Sequence, residues 1–245
     1  MEWRDEGVIL AARRHGETSL IIDVLTKAHG RHAGVVRGGV SRKQAPVLQP
    51  GNQVELQWRA RLEEHLGAYR VELIKSRSGI MSDRGRLAAL GSVCSLMIFA
   101  IPERMELSLI YDQTLDLIER LNMGGSWWAD YALWELMMLE ELGYGLDLTS
   151  CAATGGTQEL IYVSPKSGRA VCRSAGADYV DKMLPLPEFL RMQGVYPKSA
   201  EVLGALKTTG YFLERWLAPA LGNRPLPDAR ARLVRMLDEE AKRNS

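Results

Sequence analysis

Gln53-Val54-Glu55-Leu56-Gln57-Trp58 alternates polar and apolar side chains at every step. Successive side chains of a strand point to opposite faces. This period of two therefore predicts a strand with Val54, Leu56 and Trp58 on a buried face and Gln53, Glu55 and Gln57 toward water. Working outward, residues 7–12, 19–25, 31–36 and 67–74 carry the same short, β-branched and apolar character. Hairpin turns are expected at Gly16-Glu17 and at His29-Gly30, and residues 46–51 read as a loop or short plug leading into the strand at 53. Five short strands with glycine-rich breaks predict a small barrel or sandwich over residues 1–80.

The period changes near Ser82. Ser82-Asp83 can cap a helix through Leu87, Leu90, Cys94, Met97 and Ile98 that Pro102 stops. A second helix is expected from Pro102-Glu103 to Gly124-Gly125, with Leu107, Ile110, Tyr111, Leu117 and Leu121 on one face. A third should run from Ser126 to Leu142, apolar on most sides, with Gly143 as its stop. Residues 151–175 break the pattern, and Glu159-Leu-Ile-Tyr-Val163 with Arg169-Ala-Val-Cys172 predicts a hairpin around Ser164-Pro-Lys-Ser-Gly168. Helical periodicity returns after Pro187 through Val202, Leu206, Phe212 and Trp216, and again from Asp228 to about Lys242. The expected class is α+β: a strand module over 1–80, a helical block over 81–148, a hairpin insertion over 149–180, and further helices over 181–245.

With 46% apolar and 25% charged residues in 245, the chain has the composition of a folded protein. The formal charge is only +1, yet residues 1–80 hold 13 Lys+Arg against 9 Asp+Glu, a local +4 that leaves −3 for the remainder. A basic amino-terminal module beside a mildly acidic remainder follows from that asymmetry. Three cysteines do not make a disulfide framework and suit a reducing compartment. The first residues show no basic-then-apolar leader, and the apolar run at 87–101 is shorter than the roughly 20 residues of a membrane helix, so a cytoplasmic protein without a membrane partner is expected.

The basic tract Gly30-Arg31-His32-Ala-Gly-Val-Val-Arg37-Gly-Gly-Val-Ser-Arg42-Lys43 joins two strands and concentrates donors suited to phosphate oxygens, with glycines that let the backbone approach a partner. It reads either as a nucleic-acid contact surface or as a solvated hairpin loop. Trp58-Arg59-Ala60-Arg61 sets a ring among cations, the combination that binds single-stranded nucleic acid by stacking and charge, although Trp58 shares its parity with the core-facing Val54 and Leu56. Arg13 and Arg14, in the first turn, lie where they can border the same groove. The tryptophan-rich third helix reads as a bundle core or as a groove for a partner's apolar tail, with Arg104 and Arg120 as holders of a terminal carboxylate.

No catalytic set emerges. The chain lacks a Gly-x-x-x-x-Gly-Lys-[Ser/Thr] loop and a Gly-x-Ser-x-Gly turn, His29 and His32 straddle a turn, and Glu140-Glu141 are neighbours that point different ways on a helix. Cys151 and Cys172 each look like one half of a Cys-x-x-Cys pair whose second member is missing, Thr154 and Ala175 standing nearby. Two thiolates do not hold a structural zinc, so no cofactor is expected, and the hairpin reads as a metal-free relic of a zinc subdomain. If close, the two sulfurs can join under oxidation, which a cytosolic setting disfavours.

Several strings in order, Gly7-Val-Ile-Leu, Gly30-Arg31, Gly34-Val-Val-Arg-Gly-Gly-Val-Ser-Arg42, Leu48-Gln-Pro-Gly51, Glu140-Glu-Leu-Gly-Tyr-Gly-Leu-Asp-Leu148, Tyr162-Val-Ser-Pro-Lys-Ser-Gly-Arg-Ala-Val171 and Leu221-Gly-Asn-Arg-Pro-Leu226, resemble the RecO family of bacterial recombination and repair proteins across almost the whole chain. The resemblance implies an amino-terminal OB-fold (oligonucleotide/oligosaccharide-binding) β-barrel, an α-helical domain and a small zinc-finger-like β-hairpin insertion. Zinc-bearing members place cysteine where this chain has Thr154 and Ala175. The resemblance also implies a non-catalytic protein that binds single- and double-stranded DNA, anneals complementary strands and engages the acidic tail of single-stranded DNA-binding protein. With RecR and RecF it would help load RecA, in the nucleoid of the cytoplasm. Arg31, Arg37, Arg42 and Lys43 match the family's basic barrel surface, while Arg13, Arg14, Arg59 and Arg61 are candidates by charge and location. The alternative is a protein-interaction adaptor with an incidentally basic barrel.

Overall fold

The structure is a computed structural model that describes residues 1–192 and 194–243. It divides into two compact units, Met1–Gly125 and Ser126–Ser245. In the first, strands β1 (Glu2–His15), β2 (Ser19–Thr26), β3 (Gly30–Val36), β4 (Gln53–Arg59) and β5 (Ala68–Lys75) close in the order β1-β2-β3-β5-β4. Strand β1 is longer than its apolar core suggested. Its first half, Glu2 to Val8, pairs antiparallel with β4, and its second half, Gly7 to His15, pairs with β2 across an irregularity between Ile9 and Ala11. An extra residue in one strand bends it and raises its twist, which lets one strand serve two neighbours. The ring is completed by the parallel pair Val35–Ala68, where the Val35 N–H donates to the Gly67 carbonyl at 3.1 Å.

Inside lie Ile9, Ile22, Val24, Val36, Val54, Leu56, Trp58, Tyr69 and Val71, together with Leu48 from the connecting loop. The alternation at 53–58 therefore holds: Val54, Leu56 and Trp58 are at most 1% exposed. Leu48 plugs the barrel, and its loop is pinned by the buried Asn52, whose amide donates to the Pro46 and Val47 carbonyls at 2.9 and 3.1 Å while its oxygen accepts from the Arg77 N–H at 2.9 Å. Gly67 has φ +65°, and a Cβ there would lie 2.3 Å from the Trp58 indole nitrogen, so this turn admits a tryptophan only beneath glycine.

Two helices share this unit. Asp83 caps α1 (Arg84–Ala100), its side chain accepting from the Arg86 N–H at 2.7 Å, and Ile101, extended before Pro102, ends it. Helix α2 (Ser108–Met123) starts later than its pattern predicted. The intervening residues run along β3 instead: the Arg104 N–H donates to the Arg31 carbonyl at 2.8 Å, and Arg31 and Glu103 form an isolated bridge. Tertiary pairing there outweighs helix propensity.

In the second unit, α3 (Trp128–Leu139) buries Tyr131, Trp134, Met138 and Leu139, as expected of a bundle core, and Gly143 at φ +85° terminates the turn that follows. The hairpin appears as β6 (Leu160–Val163) and β7 (Ala170–Cys172), with a third strand, β8 (Leu184–Pro185), on the other side of β6 that the sequence did not reveal. Helices α4 (Ser199–Phe212) and α5 (Asp228–Arg243) complete the unit. Fully buried Glu135 of α3 accepts from Arg230 Nε and Nη2 of α5 at 2.7 and 2.8 Å and from the Thr209 hydroxyl of α4. Burial opposes the Arg230 charge, but the Glu135 carboxylate more than offsets it and raises the guanidinium pKa. Truncating one partner strands the other charge in the core. Glu135→Ala should lower the unfolding free energy by roughly 3–5 kcal/mol, measured by denaturant titration.

Candidate nucleic-acid interface

Strand parity places the cations. Arg59, next to the inward Trp58, faces out at the end of β4; Arg70 on β5, between inward Tyr69 and Val71, does the same. Arg37 follows the last residue of β3, and Gly38, at φ +68°, turns the loop so that Lys43 comes back toward the same side. Arg37, Lys43, Arg59, Arg61 and Arg70 thus line one open groove of about 980 Å³, floored by Tyr69, Val71 and Ala60. Among the described residues no carboxylate lines it. Charges that lie near one another without counter-charges leave a positive potential free for a polyanion.

Of the residues singled out from sequence, Arg37, Lys43, Arg59 and Arg61 converge here. Arg42 is exposed on the same loop, outside the groove lining, and Arg13 and Arg14 are exposed at the β1–β2 hairpin, also outside it. Arg31 is different: it lies outside the groove lining and is largely withdrawn from solvent. Its side chain is 13% exposed, its Nε donates to the Ile101 carbonyl at 2.8 Å, and its Nη1 pairs with Asp23 at 3.1 Å and Glu103 at 3.5 Å. Those donors are committed to tying β3 to the segment after α1. Arg70 was missed because it sits inside an apolar strand string; its outward parity against Tyr69 and Val71 was the available signal. Arg120 is exposed on α2, and Arg104 belongs to a second cavity.

That second cavity, about 480 Å³, is lined by Trp3, His29, His32, Trp58, Glu63 and Arg104 among others, and Met1 borders both spaces. Trp3 stacks on His29 at 4.0 Å between ring centroids and on Trp58 at 5.6 Å, with His32 edge-on at 5.2 Å. His29 Nδ1 lies 3.0 Å from Asp5, and His32 Nδ1 lies 2.8 Å from the Tyr69 hydroxyl, so both histidines have fold-internal partners.

In the hairpin unit, Cys151 and Cys172 are buried with their sulfurs 3.5 Å apart. The Cys172 N–H donates to Cys151 Sγ at 3.3 Å, and the Thr154 and Ser174 hydroxyls lie 3.9 and 3.4 Å from Cys172 Sγ. Burial disfavours the Cys151 thiolate, yet hydrogen bonds from the Thr154 hydroxyl and from the Cys172, Thr154 and Ala153 backbone outweigh it and lower the thiol pKa. Two thiols and two neutral hydroxyls do not make the four-ligand set of a structural zinc. Among the described residues no group of three or more histidine, cysteine or acidic side chains is arranged so that it could hold a metal ion. The residues do not fit the ion.

Residues 1–77 match the family model described as recombination protein O N terminal, and residues 81–226 match recombination protein O C terminal. The chain belongs to the recombination protein O family. It is 53% identical over 235 residues to the DNA repair protein RecO of Ruegeria sp. strain TM1040, covering 96% of this chain and 97% of that one. It is 53% identical over 238 residues to the namesake of Cereibacter sphaeroides strain ATCC 17029, covering 97% and 98%. The corresponding protein of Jannaschia sp. strain CCS1 is 48% identical over 242 residues, 98% of each chain. Membership places the chain among proteins of DNA repair and recombination, and no helix among the described residues is long and apolar enough to cross a membrane.

The aromatic cavity carries a pH signature. Burial, then the Arg104 guanidinium, pulls the pKa of His32 from 6.5 to about 4. The unfolded chain therefore takes up a proton, as pH falls from 6.5 toward 4, that the folded chain refuses, and stability is lost through that window. Denaturant titrations at a series of pH values should show this loss in the wild type and a shallower one in His32→Gln.

Proposed function

We propose that the chain is a non-catalytic recombination mediator whose amino-terminal unit is an OB-fold barrel that grips the sugar–phosphate backbone of single- and double-stranded DNA. The observation that carries this reading is the groove in which five cations face one space that no described carboxylate lines. Such a surface neutralises phosphates without reading bases, which is what annealing complementary strands requires. Arg37, Lys43, Arg59, Arg61 and Arg70 are the proposed contacts, with Arg42, Arg13 and Arg14 extending the surface for duplex. Family membership supports the further steps: engagement of the acidic tail of single-stranded DNA-binding protein, with Arg104 and Arg120 as candidate contacts, and loading of RecA together with RecR and RecF. The setting is the nucleoid of the cytoplasm.

Affinity for a fluorescent single-stranded oligonucleotide, titrated against salt, tests the groove. Each neutralised phosphate contributes about 0.7 to the slope of log affinity on log salt, so replacing Arg37, Lys43, Arg59 and Arg61 by alanine should flatten that slope by roughly 3. Arg31→Ala should instead lower the unfolding midpoint and leave the slope nearly unchanged. No binding at low salt would refute the reading. Strand annealing with and without single-stranded DNA-binding protein then separates a mediator from an adaptor.

The hairpin around Cys151 and Cys172 is proposed to hold its shape without metal, hydrogen bonds to sulfur replacing coordination bonds. A strong chelator should leave the thermal midpoint of the purified protein unchanged and elemental analysis should find less than stoichiometric zinc; one zinc per chain would overturn this.

A further inference from the structure

We propose that the cavity between Trp3, His29, Glu63 and Arg104 receives one unstacked nucleobase of a DNA strand whose phosphates lie in the adjoining basic groove. This rests on the DNA-binding reading and adds to it a site for a base.

The two neighbouring spaces differ in chemistry. The groove offers cations without a lining carboxylate and suits phosphate oxygens. The cavity instead combines flat aromatic walls with the guanidinium of Arg104 and two carboxylates, Glu2 and Glu63. Opposed donor and acceptor groups around an apolar slot suit the edge of a base, which carries both, and give a polyanion little net attraction. At about 480 Å³ it holds a ring system of that size. Continuity is direct: Met1 borders both spaces, and its amino group is fixed by donating to the Ala60 carbonyl at 2.7 Å.

The aromatic wall is built before any ligand arrives. Trp3 sits against both His29 and Trp58 in a near-parallel stack, with interplanar angles of 10° and 20°. Trp58 is the buried end of that stack, anchored by its indole N–H to the Leu66 carbonyl at 3.1 Å. His29, with 34% of its side chain exposed, is the solvent-facing end, held by Asp5. A base that adds to the open side extends a stack of rings whose positions are already set, so little side-chain freedom is lost on binding. Arg104 is held at φ +64°, unusual for a residue with a side chain, by its N–H bond to the Arg31 carbonyl. This gives Arg31 its part: the ion pairs that withdraw it from the groove fix the loop that presents Arg104 to the cavity.

The test uses the full chain and two oligothymidylates of equal length, one intact and one with abasic sites, which keep every phosphate. Stacking of one base contributes roughly 1–3 kcal/mol, so the wild type should bind the abasic strand about 5- to 150-fold more weakly. Trp3→Ala and His29→Ala should bind both strands alike, at the weaker level. A single 2-aminopurine within the intact strand should lose fluorescence on the wild type and keep it on the variants. Equal binding of both strands by the wild type, with 2-aminopurine unquenched, overturns the base site and leaves the groove standing. Failure of the wild type to bind either strand at low salt overturns both. Should Trp3→Ala unfold, by circular dichroism, the half-exposed His29→Ala and the wild-type measurements decide alone.

Discussion

Strand β1 pairs along its first half with β4 and along its second with β2, and the amino-terminal unit depends on that double engagement. The irregularity between Ile9 and Ala11 turns a strand that would otherwise serve one sheet into the seam of a closed ring. Closure removes exposed strand edges and forces the inward residues of all five strands onto one core. Trp58 fills much of that space, and room for it is made by glycine at position 67, where a side chain would enter the indole.

Once the inward set is fixed, the outward set follows by parity. Arg59 points out because Trp58 points in, and Arg70 because Tyr69 and Val71 do. The basic groove is thus a consequence of core packing as much as of charge. Arg31 shows the other side of the same rule: surrounded by Asp23, Glu103 and the Ile101 carbonyl, a cation in the most basic stretch of the chain becomes a brace for the loop beside it.

In the second unit a polar cluster takes the organising part. Glu135, Arg230 and Thr209 come from three different helices and satisfy one another away from water. A desolvated pair of this kind penalises other arrangements of the helices that would separate its members, which is a constraint on register that an apolar contact does not impose. The cysteine pair in the hairpin is held by the same means, N–H and hydroxyl groups converging on sulfur.

Much of this was legible in the chain. The alternation at 53–58, the Asp83 cap, the stops at Pro102, Gly124 and Gly143, and the hairpin around Ser164 are local signals, and they report local structure because strand parity and helix ends are set by neighbours in sequence. The delayed start of α2, strand β8 and the early start of β1 were not, since each is decided by a partner distant along the chain. Positive charge in the first 80 residues was countable from the amino acids alone. Which cations stand open and which are spent depends on where carboxylates and carbonyls arrive from elsewhere, and only the folded arrangement, by setting distances of about 3 Å between residues such as Arg31 and Asp23, decides that.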